Sequence, residues 1–244
     1  MSNIKYRTIL FSIFALLLSS FLAVIAVNVD LNRDRELTTV ANSDLQERSP
    51  RISNPLKQTT NNLDELYQQA AQAQPALNRV TQKVASQLGG EALIPETLKA
   101  RERAMEKIVA DYGGDASRIT DLARSSVIFE TEEQVLQALD ILEHDMNVIR
   151  TKNRFQSPVN GYRDVLLNIL MPNGHIVEMQ LHLRSILEAK YEFGDKLYQE
   201  IRAIEADAIQ EQRDLTLDET KQIEQLRSQA EKIYNEAFEK SMSQ

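Results

Sequence analysis

The sequence predicts an α/β (α+β) protein, a mixed β-sheet with flanking helices followed by long C-terminal helices. Three observations carry this expectation. A short β-rich run, Ser125 to Glu130, leads directly into a capped helical pattern, Thr131 to His144, the strand-then-helix order of an α/β layer. Two alternating apolar segments, Tyr162 to Met171 and His175 to Leu183, flank Pro172-Asn173-Gly174, a hairpin signal. From Ser185 onward, apolar residues recur at helical spacing among many charges.

Composition narrows the function classes. The 244 residues are 42% hydrophobic and 26% charged, which allows one or at most two domains of ordinary globular character. With 28 Lys+Arg against 36 Asp+Glu the net charge is -8, so no nucleic-acid partner is expected. Zero Cys removes disulfides, thiolate metal sites and cysteine nucleophiles. The three His, His144, His175 and His182, lack HExxH spacing, and neither GxxxxGK[ST] nor GxGxxG occurs.

At the N-terminus Lys5 and Arg7 precede an apolar run from Ile9 to Val27, broken only by Ser12, Ser19 and Ser20. Its 19 residues are longer than most cleaved signal cores and close to the ~20 needed to span a bilayer. Residues 1–27 are therefore read as a signal peptide or a membrane anchor, with residues 8–27 in the membrane if uncleaved. Val24 and Ala26 suit cleavage after Ala26. The flanking cations place the main domain outside the cytoplasm, across or anchored in the cytoplasmic membrane. Residues 28–61, polar and without apolar period, read as a flexible tether.

Elements then follow in order. Asn62 to Leu88 carries Leu63, Leu66, Tyr67, Ala70, Leu77, Val80 and Val84 at helical intervals and predicts a helical pair broken at Pro75 and stopped by Gly89-Gly90. Thr97 to Tyr112 predicts a helix with Leu98, Met105, Ile108, Val109 and Tyr112 on one face, ended by Gly113-Gly114. Thr131 caps the next helix, with Glu132 and Glu133 in its first turn. Asn147 to Thr151 adds an edge strand.

A three-residue loop at Pro172, Asn173 and Gly174 sets the hairpin register. It pairs Ile169 with Val177, Leu167 with Met179 and Val165 with Leu181 on the buried face. The other face carries Asn168 opposite Glu178, Leu166 opposite Gln180 and Asp164 opposite His182, which would pair with each other. In the C-terminal region Leu187, Tyr191, Leu197, Ile201, Ile204 and Ile209, then Leu217, Ile223, Leu226, Ile233 and Phe238, are spaced as in an antiparallel helix pair.

Asn160-Gly161-Tyr162, a strand, a Gly-containing turn and then Ile176-Val177-Glu178-Met179-Gln180-Leu181 resemble the synthetase domain of the RelA/SpoT family, where an NGY segment precedes one strand and an EIQ-type strand follows. Upstream, Thr120-Asp121-Leu122-Ala123-Arg124-Ser125-Ser126-Val127-Ile128 is similar to the family's Asp-containing strand with an Arg three residues later. The resemblance runs from Leu98 to about Tyr198. It divides the rest of the chain into a RelA/SpoT-like domain, 62–210, and a C-terminal helix, 211–244.

The resemblance implies a nucleotidyltransferase-like fold that moves pyrophosphate from ATP to the 3′-hydroxyl of GDP, GTP or another nucleotide. It implies Asp121 and Glu178 as the catalytic pair, with Asp121 holding Mg²⁺, Glu178 close to it as a second ligand or as the base that prepares the attacking hydroxyl, and Tyr162 stacking on the acceptor base. A hard cation of this kind prefers one or two carboxylates plus phosphate oxygens. Lys99, Arg103 and Lys107, recurring every four residues, would form a cationic stripe for the triphosphate, joined by Arg124, Arg163 and Arg154. Duller readings stand beside these. Asp121 suits a helix or turn cap, Lys99, Arg103 and Lys107 alternate with Glu102 and Glu106 as on a solvated helix, and Tyr162 suits a sheet end. The chain departs from the family at Arg163 and Leu166, where Gln and His are usual, and at Thr97, where the Arg of an Arg-x-Lys motif stands. The alternative function is therefore a catalytically inactive RelA/SpoT-like module for nucleotide sensing or protein–protein contact, and oligomers are compatible with either.

Overall fold

A computed structural model describes residues 56–242. Residues 1–27, read as a signal peptide or membrane anchor, and most of the stretch read as a tether lie outside the described residues. Among the described residues no helix is long and apolar enough to cross a membrane.

Helix α1 spans Leu63–Leu88 without a break at Pro75. The sequence reading of two helices is corrected because the buried stripe runs through the proline: Leu66, Ala70, Ala73, Leu77, Thr81, Val84 and Ala85 all face the core. This burial offsets the ~3 kcal/mol an interior proline costs. A three-residue strand absent from the sequence reading, β1 (Glu91–Leu93), follows. Helix α2 covers Arg101–Tyr112, starting later than expected, and buries Ala104 and Ile108. Met105, assigned to the apolar face, is 53% exposed, and Val109 is also exposed.

Strand β2 (Arg124–Phe129) leads into α3 (Glu132–Asp145), whose Thr131 and Gln134 form a capping box. Three further strands follow: β3 (Val148–Asn153), β4 (Val165–Leu170) and β5 (Ile176–Leu183). The sheet order is β1-β2-β5-β4-β3, with β2 and β5 parallel and every other pair antiparallel. This is the mixed sheet expected, with β3 at its edge.

The hairpin register is the one the sequence predicts, Val165↔Leu181, Leu167↔Met179 and Ile169↔Val177. All six of these side chains are fully buried. Met171 N–H donates to the His175 carbonyl at 2.9 Å, closing the Pro172-Asn173-Gly174 loop, and Gly174 has φ +80°, a conformation that favours glycine. The core face packs against α1 and α3, leaving the other face for polar residues.

After β5 the chain forms α4 (Arg184–Ala189), a π-helical turn (Lys190–Gly194), α5 (Asp195–Gln210) and α6 (Leu217–Ser241). Helices α5 and α6 fold back on each other. Arg213 grips Glu219 with two 2.7 Å bonds at the turn, and Arg227 lies 3.5 Å from Glu205 further along. Ile223, Leu226, Ala230 and Tyr234 of α6 are buried. Tyr191, Ile209 and Leu217, read as packing positions, are exposed.

His175 is fully buried beside the turn, its Nδ1 3.4 Å from Gln69 Oε1. Burial lowers its pKa to about 4, below the ordinary value near 6.5. The unfolded chain therefore binds the proton more readily, and stability present above pH 6.5 is lost as pH falls from there toward 4. We expect about 3 kcal/mol to be lost over that window through this imidazole. Urea unfolding at pH 7, 6 and 5 should show the loss, and His175→Leu should make the slope shallower.

Candidate active site

Residues on successive strands at matched register share a face. Glu178, Gln180 and His182 of β5 lie beside Arg124, Ser126 and Ile128 of β2, and beside Asn168 and Leu166 of β4. Together they form the polar face of the sheet, with Glu178 at the end where β2 begins.

Asp121 stands just before β2, after a 3₁₀ turn at Ala116–Arg118. It caps no helix; Asp115 caps that turn by accepting from Ser117 N–H. Asp121 Oδ2 accepts from Lys99 Nζ and Lys107 Nζ, each at 2.9 Å, in a side chain only 7% exposed. Its Oδ1 is buried and has no partner. Burial alone would raise the Asp121 pKa, but the charges and hydrogen bonds of Lys107 and Lys99 outweigh it and hold the carboxyl below its usual range. Lys107 feels the converse. Burial works to lower its pKa, and Asp121 more than reverses that, with a smaller push from Glu178.

Lys99 is not on a helical stripe, since α2 begins at Arg101. It is anchored in the irregular segment before α2, where its N–H donates to the Leu122 carbonyl at 3.0 Å and its carbonyl accepts from Tyr67 O–H at 2.6 Å. Two elements therefore deliver the two ammonium groups. Arg103 stays outside the cluster, exposed and paired with Glu106 at 2.9 Å.

Glu178 pairs in register with Arg124, and its N–H donates to the Ala123 carbonyl at 3.1 Å. Burial raises its carboxyl pKa and the Asp121 charge adds to the rise, against Lys107, Lys99 and Arg124. The two carboxylates thus act on each other electrostatically, and Arg124 forms no ion pair among the described residues. Gln74 of α1 holds the Arg124 backbone, accepting from its N–H at 3.1 Å and donating to its carbonyl at 3.0 Å.

Tyr162 and Arg163 lie in a separate contact set. Tyr162 O–H donates to Asp164 Oδ2 at 3.3 Å, and its ring meets Tyr234 of α6 edge-on at 5.2 Å. Arg163 donates to the Gly161 carbonyl at 2.6 Å and to Asn235 Oδ1 at 3.0 Å, and covers the Phe238 ring at 4.3 Å. Gly161, at φ +78°, sits so close to α6 that a Cβ there would lie 2.7 Å from the Glu231 carbonyl oxygen. The structure brings together Lys99, Lys107, Asp121, Arg124 and Glu178, while Tyr162 and Arg163 engage the C-terminal helix.

The expected His182–Asp164 pair is corrected. Asp164 is taken by Arg154 and Tyr162. Gln180 Nε2 donates to Glu178 Oε1 at 2.9 Å, so its Oε1 accepts from His182 Nε2–H at 3.0 Å. That tautomer leaves Nδ1 as a bare acceptor, buried without a partner. Burial lowers the His182 pKa to about 4, keeping it neutral at pH 7. Asn168, fully buried, accepts from Arg150 Nε at 2.7 Å and leaves its own Nδ2 unpartnered. Sequence reasoning placed Gln180 and Asn168 on this face without a role, because strand alternation fixes a face and not a side-chain bond.

Among the described residues no group of three or more His, Asp or Glu side chains is arranged to hold a metal. The candidate donors are Asp121 and Glu178. The unpartnered buried oxygen of Asp121 and a second carboxylate within its electrostatic reach suit a hard divalent cation that takes its remaining ligands from phosphate and water.

The architecture is that of the alarmone synthetases, the RelA/SpoT-like pyrophosphokinase fold. A solved structure of small alarmone synthetase 2 from Bacillus subtilis matches with TM-score 0.52 and 17% identity, over 74% of this chain and 94% of that one. The solved complex of the type VI effector Tas1 with its immunity protein matches with TM-score 0.55 and 22% identity, over 72% of this chain and 96% of that one. In sequence, the chain is similar to the (p)ppApp synthetase toxin Tas1 of Pseudomonas aeruginosa (strain UCBPP-PA14), 37% identical over 70 residues. That match spans 29% of this chain and 16% of the toxin's length. No family model matches the chain.

Proposed function

We propose that the chain transfers a pyrophosphate group from ATP to the 3′-hydroxyl of a purine nucleotide. The observation that carries this reading is the buried Asp121 and half-buried Glu178, which act on each other electrostatically beside Lys99, Lys107 and Arg124 on an alarmone-synthetase fold. Similarity to a (p)ppApp synthetase toxin favours adenosine nucleotides among the acceptors, with guanosine nucleotides next.

In the reaction the 3′-oxygen bonds to the β-phosphorus of ATP, the bond from that phosphorus to the α-phosphate oxygen breaks, and AMP leaves. Glu178, its pKa raised, is suited to accept the hydroxyl proton. Lys99, Lys107 and Arg124 hold the polyphosphate. Both lysines already bind Asp121 Oδ2, and Lys107, the more exposed of the two, is better placed to turn toward phosphate. Asp121 Oδ1 would hold Mg²⁺, with Glu178 as the base or, in its place, a second ligand; the ion when bound offsets charge on the transferring phosphates.

One observation favours a second reading. Tyr162, the residue the resemblance assigns to base stacking, is engaged by Tyr234 of α6, as suits an inactive module that uses the fold for contact. Incubating the chain with labelled ATP, Mg²⁺ and a panel of adenosine and guanosine nucleotides separates the two. The enzyme yields labelled 3′-pyrophosphorylated product. The inactive module yields none and shows no Mg²⁺-dependent nucleotide binding in calorimetry.

The proposal extends to location. Lys5 and Arg7 ahead of the Ile9–Val27 apolar run support export across, or anchoring in, the cytoplasmic membrane. ATP is scarce beyond that membrane, so an exported enzyme acts after delivery to a nucleotide-containing compartment such as a target cell. A reporter fused after Gln244 should lie outside the cytoplasm; a soluble cytoplasmic fusion that retains Met1 removes this part of the proposal.

A further inference from the structure

Gln58 lies where the two carboxylate-bearing segments converge. It is 6% exposed. Its Nε2 donates to the Ile119 carbonyl at 2.9 Å and to the Ile176 carbonyl at 2.8 Å, and its Oε1 accepts from Ile176 N–H at 2.8 Å. Its own N–H donates to the Ser117 carbonyl at 2.7 Å. Ile119 stands two residues before Asp121, and Ile176 two before Glu178.

The β2–β5 register begins at Arg124 opposite Glu178, next to the bond from Glu178 N–H to the Ala123 carbonyl. Upstream of it, the amide of Gln58 continues the ladder. A side-chain amide offers the same donor and acceptor types as a peptide group, so Gln58 acts as an inserted link, bonded to one segment on each side. Because the link is buried and fully bonded, the separation of the two segments is set by the length of one side chain.

We infer that Gln58 is a positioning residue that fixes Asp121 relative to Glu178. The inference rests on the reading of those carboxylates as the reacting pair. A misplacement of about 1 Å at a reacting centre costs up to roughly a hundredfold in rate, so the link is a point of control remote from any nucleotide contact. It also ties the end of the N-terminal polar stretch to the site.

The test uses the full chain with Gln58→Met, which keeps the volume and removes the amide. Lys57→Ala is the control, since it breaks only the exposed Lys57–Asp115 pair. Three quantities are read: kcat, KM for ATP, and the affinity for Mn²⁺ alone by electron paramagnetic resonance. Gln58→Met should keep a cooperative unfolding transition, lower kcat at least about tenfold with KM changed less than about threefold, and weaken Mn²⁺ binding about tenfold. Lys57→Ala should leave all three unchanged.

A folded Gln58→Met protein with unaltered kcat and Mn²⁺ affinity overturns the inference, because a merely structural residue lowers stability alone. If Gln58→Met does not fold, Gln58→Asn decides by the same readings. It keeps the amide on a shorter stem that reaches one segment only. A wild-type chain that binds Mn²⁺ through Gln58-dependent geometry but transfers no pyrophosphate defeats the proposed function and leaves the positioning role supported. A chain with neither property defeats both.

Discussion

Met179→Asp is expected to abolish cooperative unfolding of the domain at neutral pH. Met179 is fully buried at the middle of β5, opposite Leu167 on β4 and Ser125 on β2. A carboxylate there leaves water for an apolar layer of Val127, Val165, Leu167 and Leu181, with no partner among them. Such burial costs several kcal/mol, a large part of the ~5–15 kcal/mol a domain has in total. Met179→Leu, close in volume and apolar, should cost less than about 1.5 kcal/mol. Circular dichroism with urea titration distinguishes the two. Retained cooperativity in Met179→Asp would show that β5 presents this residue to solvent.

Asp121→Asn and Glu178→Gln are each expected to lower pyrophosphate transfer by at least roughly a hundredfold, yet to move stability in opposite directions. Asp121 neutralises two ammonium groups in a largely buried cluster. Replacing it with Asn leaves Lys99 and Lys107 uncompensated and should cost about 1–3 kcal/mol. Glu178 has its pKa raised by burial and by Asp121, so above the ordinary carboxyl range this shift opposes folding. Gln in its place removes that opposition, and the variant should be as stable as the parent or more so. Thermal melts beside the transfer assay give both readings. Equal stability losses in the two variants would contradict the charge arrangement, and unaltered transfer in either would end the catalytic assignment.

Much of the sheet was legible in the sequence because its signals are local. Pro172-Asn173-Gly174 fixes a loop length, and strict alternation on both sides leaves one register that buries Val165, Leu167 and Ile169 against Leu181, Met179 and Val177. The site was legible only in part. Asp121 and Glu178 drew attention through resemblance, whereas the two lysines on Asp121 reach it from different elements, and no spacing rule predicts that. Pro75 inside α1 misled for a related reason, since local propensity was overridden by burial along the whole helix. Gln58 and Gln74 were invisible. Their bonds run to backbone atoms distant in sequence, and a glutamine beside a polar stretch carries no mark of that.

The parallel pairing of β2 with β5 also bears on when the site comes into being. Hairpin β4–β5 and the helices close over short chain distances, but Arg124 meets Glu178 only across a long intervening segment, and Gln58 meets Ile176 across a longer one. Long loops are closed late and slowly, after local structure has formed. A chain emerging from the ribosome displays Asp121 and both lysines well before β5 exists, and at that stage holds half of the proposed reaction centre. Under the proposed export, this ordering separates manufacture from action: a polypeptide threaded outward before β5 docks carries no assembled centre through the cytoplasm of its producer.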